Sequence, residues 1–217
     1  MKKLALALGT LLILALTTPA ALADEIALFE YALNVPAGAG IDLSGFDAVT
    51  GLGIITITLS TAGPNTVLAF FDHEIDEETN TFFNEYGSTS GTPAAGQSWE
   101  IDEPGYVFGN IYANFLAGAL DNSNGVPAGS PDDVSMAIGW LFSLNAGEMA
   151  VINFIASRDE PVSGFYLQHT DPDSNTSIYL YSNIAISPVG VPEPGMLLLL
   201  ALGLSATGAA GAFRKRA

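Results

Sequence analysis

The sequence predicts an all-β fold: a single β-sandwich or jelly-roll-like domain over residues 24–190. Three observations carry that expectation. Turn formers recur at short intervals, at Pro36 to Gly40, Gly63 to Asn65, Gly87 to Gly96, Asp121 to Pro131, Asn145 to Gly147 and Asp171 to Asn175. Short apolar runs rich in β-branched and aromatic residues lie between them. Several runs alternate with a period of two: Ile55, Ile57 and Leu59 against Thr56, Thr58 and Ser60, and Phe165, Leu167 and His169 against Tyr166 and Gln168.

Taken in order, the strands are predicted at residues 26–33, 54–60, 66–71, 106–108, 135–144, 149–156, 164–169 and 178–186. The pair 135–144 and 149–156, joined by Asn145-Ala146-Gly147-Glu148, has the spacing of a hairpin. One short helix is expected over 111–120, with Ile111, Phe115 and Ala119 on one face and Asp121 to Gly125 ending it. The count and spacing of the strands favour two packed antiparallel sheets.

Both ends differ from this body. Lys2 and Lys3 precede a mostly Leu/Ala run over 4–16, and Ala21-Leu22-Ala23 supplies a small-x-small cleavage site before Asp24. That pattern is a secretory signal peptide over 1–23, cut by signal peptidase. At the other end, 196–213 holds no charge and matches the span of a bilayer core, about 30 Å at 1.5 Å per residue. Arg214, Lys215 and Arg216 follow it and would stay cytoplasmic. The two ends agree on one topology, with the body outside the inner membrane.

Val191-Pro192-Glu193-Pro194-Gly195, then an apolar helix, then a basic tail resembles the sorting signal of the PEP-CTERM family. The resemblance covers residues 191–217 and implies recognition by an exosortase, a membrane-embedded cysteine protease or transpeptidase-like enzyme. It further implies processing near Pro192, Glu193 and Pro194, then residence at the cell surface or in an extracellular matrix containing exopolysaccharide. Retained unprocessed, the chain would be a single-pass membrane protein. Two prolines keep the motif extended just outside the bilayer, where such an enzyme can reach it.

Charge narrows the function of the body. The whole chain carries −17, but residues 24–190 hold 22 acidic residues and only Arg158 as a base, a net −21. Such a surface repels phosphates and excludes a nucleic-acid partner. Without cysteine there is no disulfide, thiolate nucleophile or Cys-ligated metal. No Gly-x-Ser-x-Gly, His-Glu-x-x-His or phosphate loop is present, and no carboxylate pair stands out as a glycosidase site. The expectation is therefore non-enzymatic, with a structural or adhesive role; a secreted hydrolase is the weakest reading.

The densest polar cluster runs from Asp72 to Glu78, and crowded carboxylates invite a shared hard cation such as Ca²⁺. Candidate ligands are Asp72, Glu74 and Asp76 there, and Asp171, Asp173 and Asn175 in a second turn. The pairs Asp102-Glu103 and Asp132-Asp133 are further oxygen-rich turns. Asp171-x-Asp173-x-Asn175 opens like an EF-hand loop, but Thr176 and Ser182 replace the required glycine and glutamate. His73 and His169, at strand ends beside polar turns, are expected at the surface. A second reading is a carbohydrate-binding module for exopolysaccharide, with Trp99, Tyr86 and Tyr106 stacking on sugar rings unless they plug the core.

Overall fold

In the computed structural model, residues 26–77 and 81–189 are described. The predicted signal peptide with its cleavage site, the PEP-CTERM segment and residues 78–80 lie outside them. No helix among the described residues is long and apolar enough to cross a membrane.

The strands are β1 Ile26–Asn34, β2 Gly40–Phe46, β3 Gly53–Leu59, β4 Gly63–Ile75, β5 Tyr86–Ser90, β6 Gln97–Asp102, β7 Ser135–Leu144, β8 Glu148–Ser157, β9 Tyr166–Asp171 and β10 Thr176–Pro188. They build two antiparallel sheets, one in the order β1-β4-β7-β6 and the other β2-β3-β8-β10-β9-β5. The all-β expectation holds.

The predicted periodicity explains the core. Ile55, Ile57 and Leu59 of β3, Ile152 and Phe154 of β8, and Ile178 and Leu180 of β10 turn inward from one sheet. Val67, Ala69 and Phe71 of β4 with Met136, Ile138 and Trp140 of β7 meet them from the other. Each fully buried large side chain in this layer contributes roughly 1.5–3 kcal/mol.

The four-stranded sheet is also covered on its outer face. Helix α1, Ile111–Ala117, lays Ile111 and Phe115 on Leu68 and Phe70 of β4 and Ala137 of β7. It ends at Gly118, whose φ of 74° is left-handed and whose N–H reaches the Phe115 carbonyl. This two-sided burial is why the first half of β7 is continuously buried instead of alternating.

Several expectations need correction. Strands β7 and β8 do not form a hairpin, because the turn Asn145 to Gly147 carries the chain from one sheet to the other. Both edges of β7 are taken by β4 and β6, and those of β8 by β3 and β10. Turn spacing alone does not choose between an in-sheet hairpin and a crossover. Residues 106–108 are an exposed loop instead of a strand. Strands β2, β5 and β6 are not among the predicted strands: β2 and β5 are rich in glycine and small polar residues, and β6 directly follows the Gly87 to Gly96 turn segment. Strand β2 is an exposed edge whose apolar residues Ile41 and Leu43 stay exposed among glycines and polar residues.

Candidate functional site: an acidic end of the sandwich

Strand β4 is the organising element. Its inward row ends Phe71, His73, Ile75, while the outward row Leu68, Phe70 continues as Asp72 and Glu74. The cluster expected beyond the strand predicted at 66–71 is thus partly strand, and its carboxylates extend an apolar row beyond the cover of α1.

Asp72 is buried and its Oδ1 accepts the Ser135 hydroxyl at 2.7 Å. Asp133, two residues before Ser135, comes up beside it. Asp72, Glu74 and Asp133 each bring one carboxylate oxygen within 4.8 Å of the others. Burial pushes Asp72 up to about 7, against the Ser135 hydrogen bond, with Asp133 and Glu30 adding to the rise. Glu74 is raised to about 8 by burial, then by Asp133 and Asp72. Burial and then Glu85 raise Asp133 to about 6. His169 aside, every charge acting on the three is another carboxylate.

The two histidines lie on the inner side and are fully buried, contrary to the surface expectation. His73 stacks on Phe71 with ring centroids 5.7 Å apart and planes at 15°. Its Nε2 sits 3.3 Å from the Gly51 carbonyl, which requires the proton on that nitrogen. Gly51 has φ 70°, and a Cβ there would lie 2.4 Å from His73 Nε2, so glycine alone permits the approach. Burial drives His73 down to about 3 and His169 down to about 4. His169 Nε2 is paired with the Glu85 carboxylate, which burial pushes up to about 9. The pair holds one proton between its members and is neutral, whichever atom carries it.

Buried polar atoms without a hydrogen-bond partner gather at this end: His73 Nδ1, Glu74 Oε2, Glu85 Oε1, Asp133 Oδ1 and His169 Nδ1. Each such atom costs about 1–3 kcal/mol. Chemically the outer three carboxylates can hold a hard cation or share protons.

The other predicted ligands are placed differently. Asp171 is buried, and its oxygens accept the backbone N–H groups of Asp173 and Ser174, each at 3.0 Å. Asp173 accepts the Asn84 amide at 2.7 Å, and Asn175 takes the left-handed φ of 59°. These three build the β9–β10 turn. Asp76, also at φ 59°, stands in the turn after β4 and is not one of the three gathered carboxylates.

Comparison with protein-family models, curated proteins and solved structures finds no match.

A cavity adjoins the carboxylates. Loop 103–110 closes on itself: the Asn110 N–H donates to Asp102 at 2.7 Å, and Gly109 packs against Glu103. Its tip presents Tyr106, Val107 and Phe108, all well exposed. A register shift between Leu28 and Glu30 in β1 marks a bulge, and from this segment Phe29 meets Tyr106 edge-on while Glu30 accepts its hydroxyl. Between this loop, Phe82, Phe83, Asp132 and Asp133 lies a space of about 420 Å³. Gly109 has φ 77°, and a Cβ would lie 2.2 Å from the Glu103 carbonyl oxygen. Gly109→Ala should therefore cost about 1–3 kcal/mol and open the loop, read as faster limited proteolysis near Val107.

The aromatic trio proposed for sugar binding is divided. Trp99 on β6 packs on the inter-sheet core against Phe165, 5.7 Å between centroids. Tyr86 is half-buried at the start of β5, and Tyr106 alone of the three lines the cavity. Sequence reasoning missed Asp133 as a partner of Asp72 and Glu74, and Glu85 as a partner of His169. The signal available was the apolar run 67–71, which, extended as a strand with side chains on alternate faces, puts Asp72 and Glu74 on one face and His73 and Ile75 on the other.

Proposed function

We propose that residues 24–190 are the exported, non-enzymatic cargo of an exosortase-sorted protein, acting structurally or adhesively at the cell surface or in an exopolysaccharide matrix. A divalent cation, Ca²⁺ by the hardness of its ligands, closes the acidic end of the sandwich. One observation carries the cation: Asp72, Glu74 and Asp133 meet within 4.8 Å among neighbours that are nearly all acidic. The routing rests on the two apolar ends and the Pro192-Glu193-Pro194 motif. The carbohydrate-binding reading has weaker support, because Trp99 is packed against the core.

Two experiments test the parts separately. Deleting Pro192 to Pro194 should leave the chain in the inner-membrane fraction, and unchanged appearance in the medium would refute the sorting assignment. The cation is tested by thermal melts with added calcium and with chelator, and equal melting temperatures in the two would refute it.

A further inference from the structure

We propose that the cavity under loop 103–110 binds a small organic cation with apolar substituents, of the alkylated-ammonium class. Its walls are aromatic, from Phe82, Phe83, Tyr106 and Phe108, and its carboxylates are Glu103, Asp132 and Asp133. Phe83, Tyr106 and Phe108 are each at least 60% exposed, an apolar display that solvated loops rarely carry. A space of about 420 Å³ falls within the range of small-ligand sites.

Elimination by chemistry selects the ligand. An anion would meet a body of net charge −21 with one arginine. A neutral apolar ligand would strip water from the carboxylates without replacing it. A sugar needs donors and acceptors for several hydroxyls, but carboxylates only accept, and the Tyr106 hydroxyl already donates to Glu30. A bare metal ion needs its carboxylates gathered, and among the described residues Glu103 and Asp132 do not join Asp133 in a group within 4.8 Å. An alkylated ammonium satisfies both features, placing its methyl groups and charge against ring faces while the carboxylates balance that charge.

Choline and its uncharged isostere 3,3-dimethyl-1-butanol separate charge from shape. Isothermal titration of the full chain, purified in nonionic detergent with EDTA, should show saturable choline binding at least about tenfold tighter than the alcohol. Phe108→Ala and Glu103→Gln should each weaken choline about fivefold or more while leaving the melting temperature within a few degrees, since both sites are on or beside an exposed loop. Equal affinity for the two probes would overturn the proposal, as would absence of choline binding. Binding of glucose or a neutral polysaccharide in place of choline would also overturn it. So would a concentration-dependent dimer abolished by Phe108→Ala without any choline effect, which would assign the surface to a second copy. Retained choline binding in both variants would move the site elsewhere and defeat the assignment.

Discussion

Calcium added to the chelator-treated protein at pH 8 is expected to raise its melting temperature by about 5–10 °C, and Glu74→Gln to remove most of that rise. The magnitude follows from linkage: a ligand at 100 times its dissociation constant stabilises the native state by about 2.7 kcal/mol. In a chain of this size each kcal/mol moves the melting point by about 2–4 °C. Asp72, Glu74 and Asp133 are pressed together by β4 and the segment entering β7. At pH 8 in chelator, Asp133 is charged beside at least one other charged carboxylate, so Asp133→Asn should raise the stability of the cation-free protein. The same substitution should blunt the calcium response. Opposite signs in the two conditions distinguish a cation site from a merely structural aspartate. An unaltered melting temperature on adding calcium, or an Asp133→Asn protein that is weaker in chelator and still calcium-responsive, defeats the site.

The cation-free protein is also expected to be more stable at pH 5.5 than at pH 8, the reverse of a protein held by ionised carboxylates. Asp72, Glu74 and Glu85 have folded values of about 7, 8 and 9, above their ordinary 3.8 and 4.5. A raised folded value means stability that is complete below the ordinary value and lost as pH climbs through the folded one. Asp72 and Glu85, the more deeply buried, each contribute a slope of up to about 1.4 kcal/mol per pH unit across that window, and the partly exposed Glu74 contributes less because solvent screens it. His73 works the other way, because burial depresses it to about 3, so its contribution is lost as pH falls below about 6.5. Opposed to two or three carboxylates, it softens the acid side without reversing it. The Glu85–His169 pair retains one proton when folded, so its contribution is lost mainly above pH 6.5. The steepest loss is therefore expected between about pH 6.5 and 8, and calcium should flatten it by replacing protons with fixed positive charge. Thermal melts in EDTA across this range check the sign. A melting temperature that rises from pH 5.5 to pH 8 would show that these carboxylates are not held protonated by the fold.

Much of the strand pattern was legible because its information is local. Ile55, Ile57 and Leu59 bury one face whatever lies opposite, and β7 matches its predicted bounds of 135–144. The failures share a cause. Strand β2 is exposed, β5 is poor in apolar residues, β6 is a short run that mixes Trp99 and Ile101 with Ser98, Glu100 and Asp102, and each has a neighbouring strand that supplies its hydrogen bonds. Tyr106 to Phe108 looked like a short apolar strand but has no partner strand, and instead caps a loop tied to β1 through Glu30. The histidines illustrate the same limit. A sequence shows acidic neighbours beside His73 and His169, whereas their partners Gly51 and Glu85 arrive from separate parts of the chain.

By itself the sequence determined the all-β class, the acidity of the body with its single arginine, and the motifs on which the routing proposal rests. These depend on composition and on spacings of a few residues. Tertiary structure decided the rest: which strands share a sheet, that the Asn145 to Gly147 turn crosses between sheets, and that Asp133 joins Asp72 and Glu74. The reason is physical. Side-chain periodicity says which face of a strand is buried, but strand pairing chooses among partners through backbone bonds common to every residue, and only that pairing brings carboxylates some sixty positions apart within 4.8 Å.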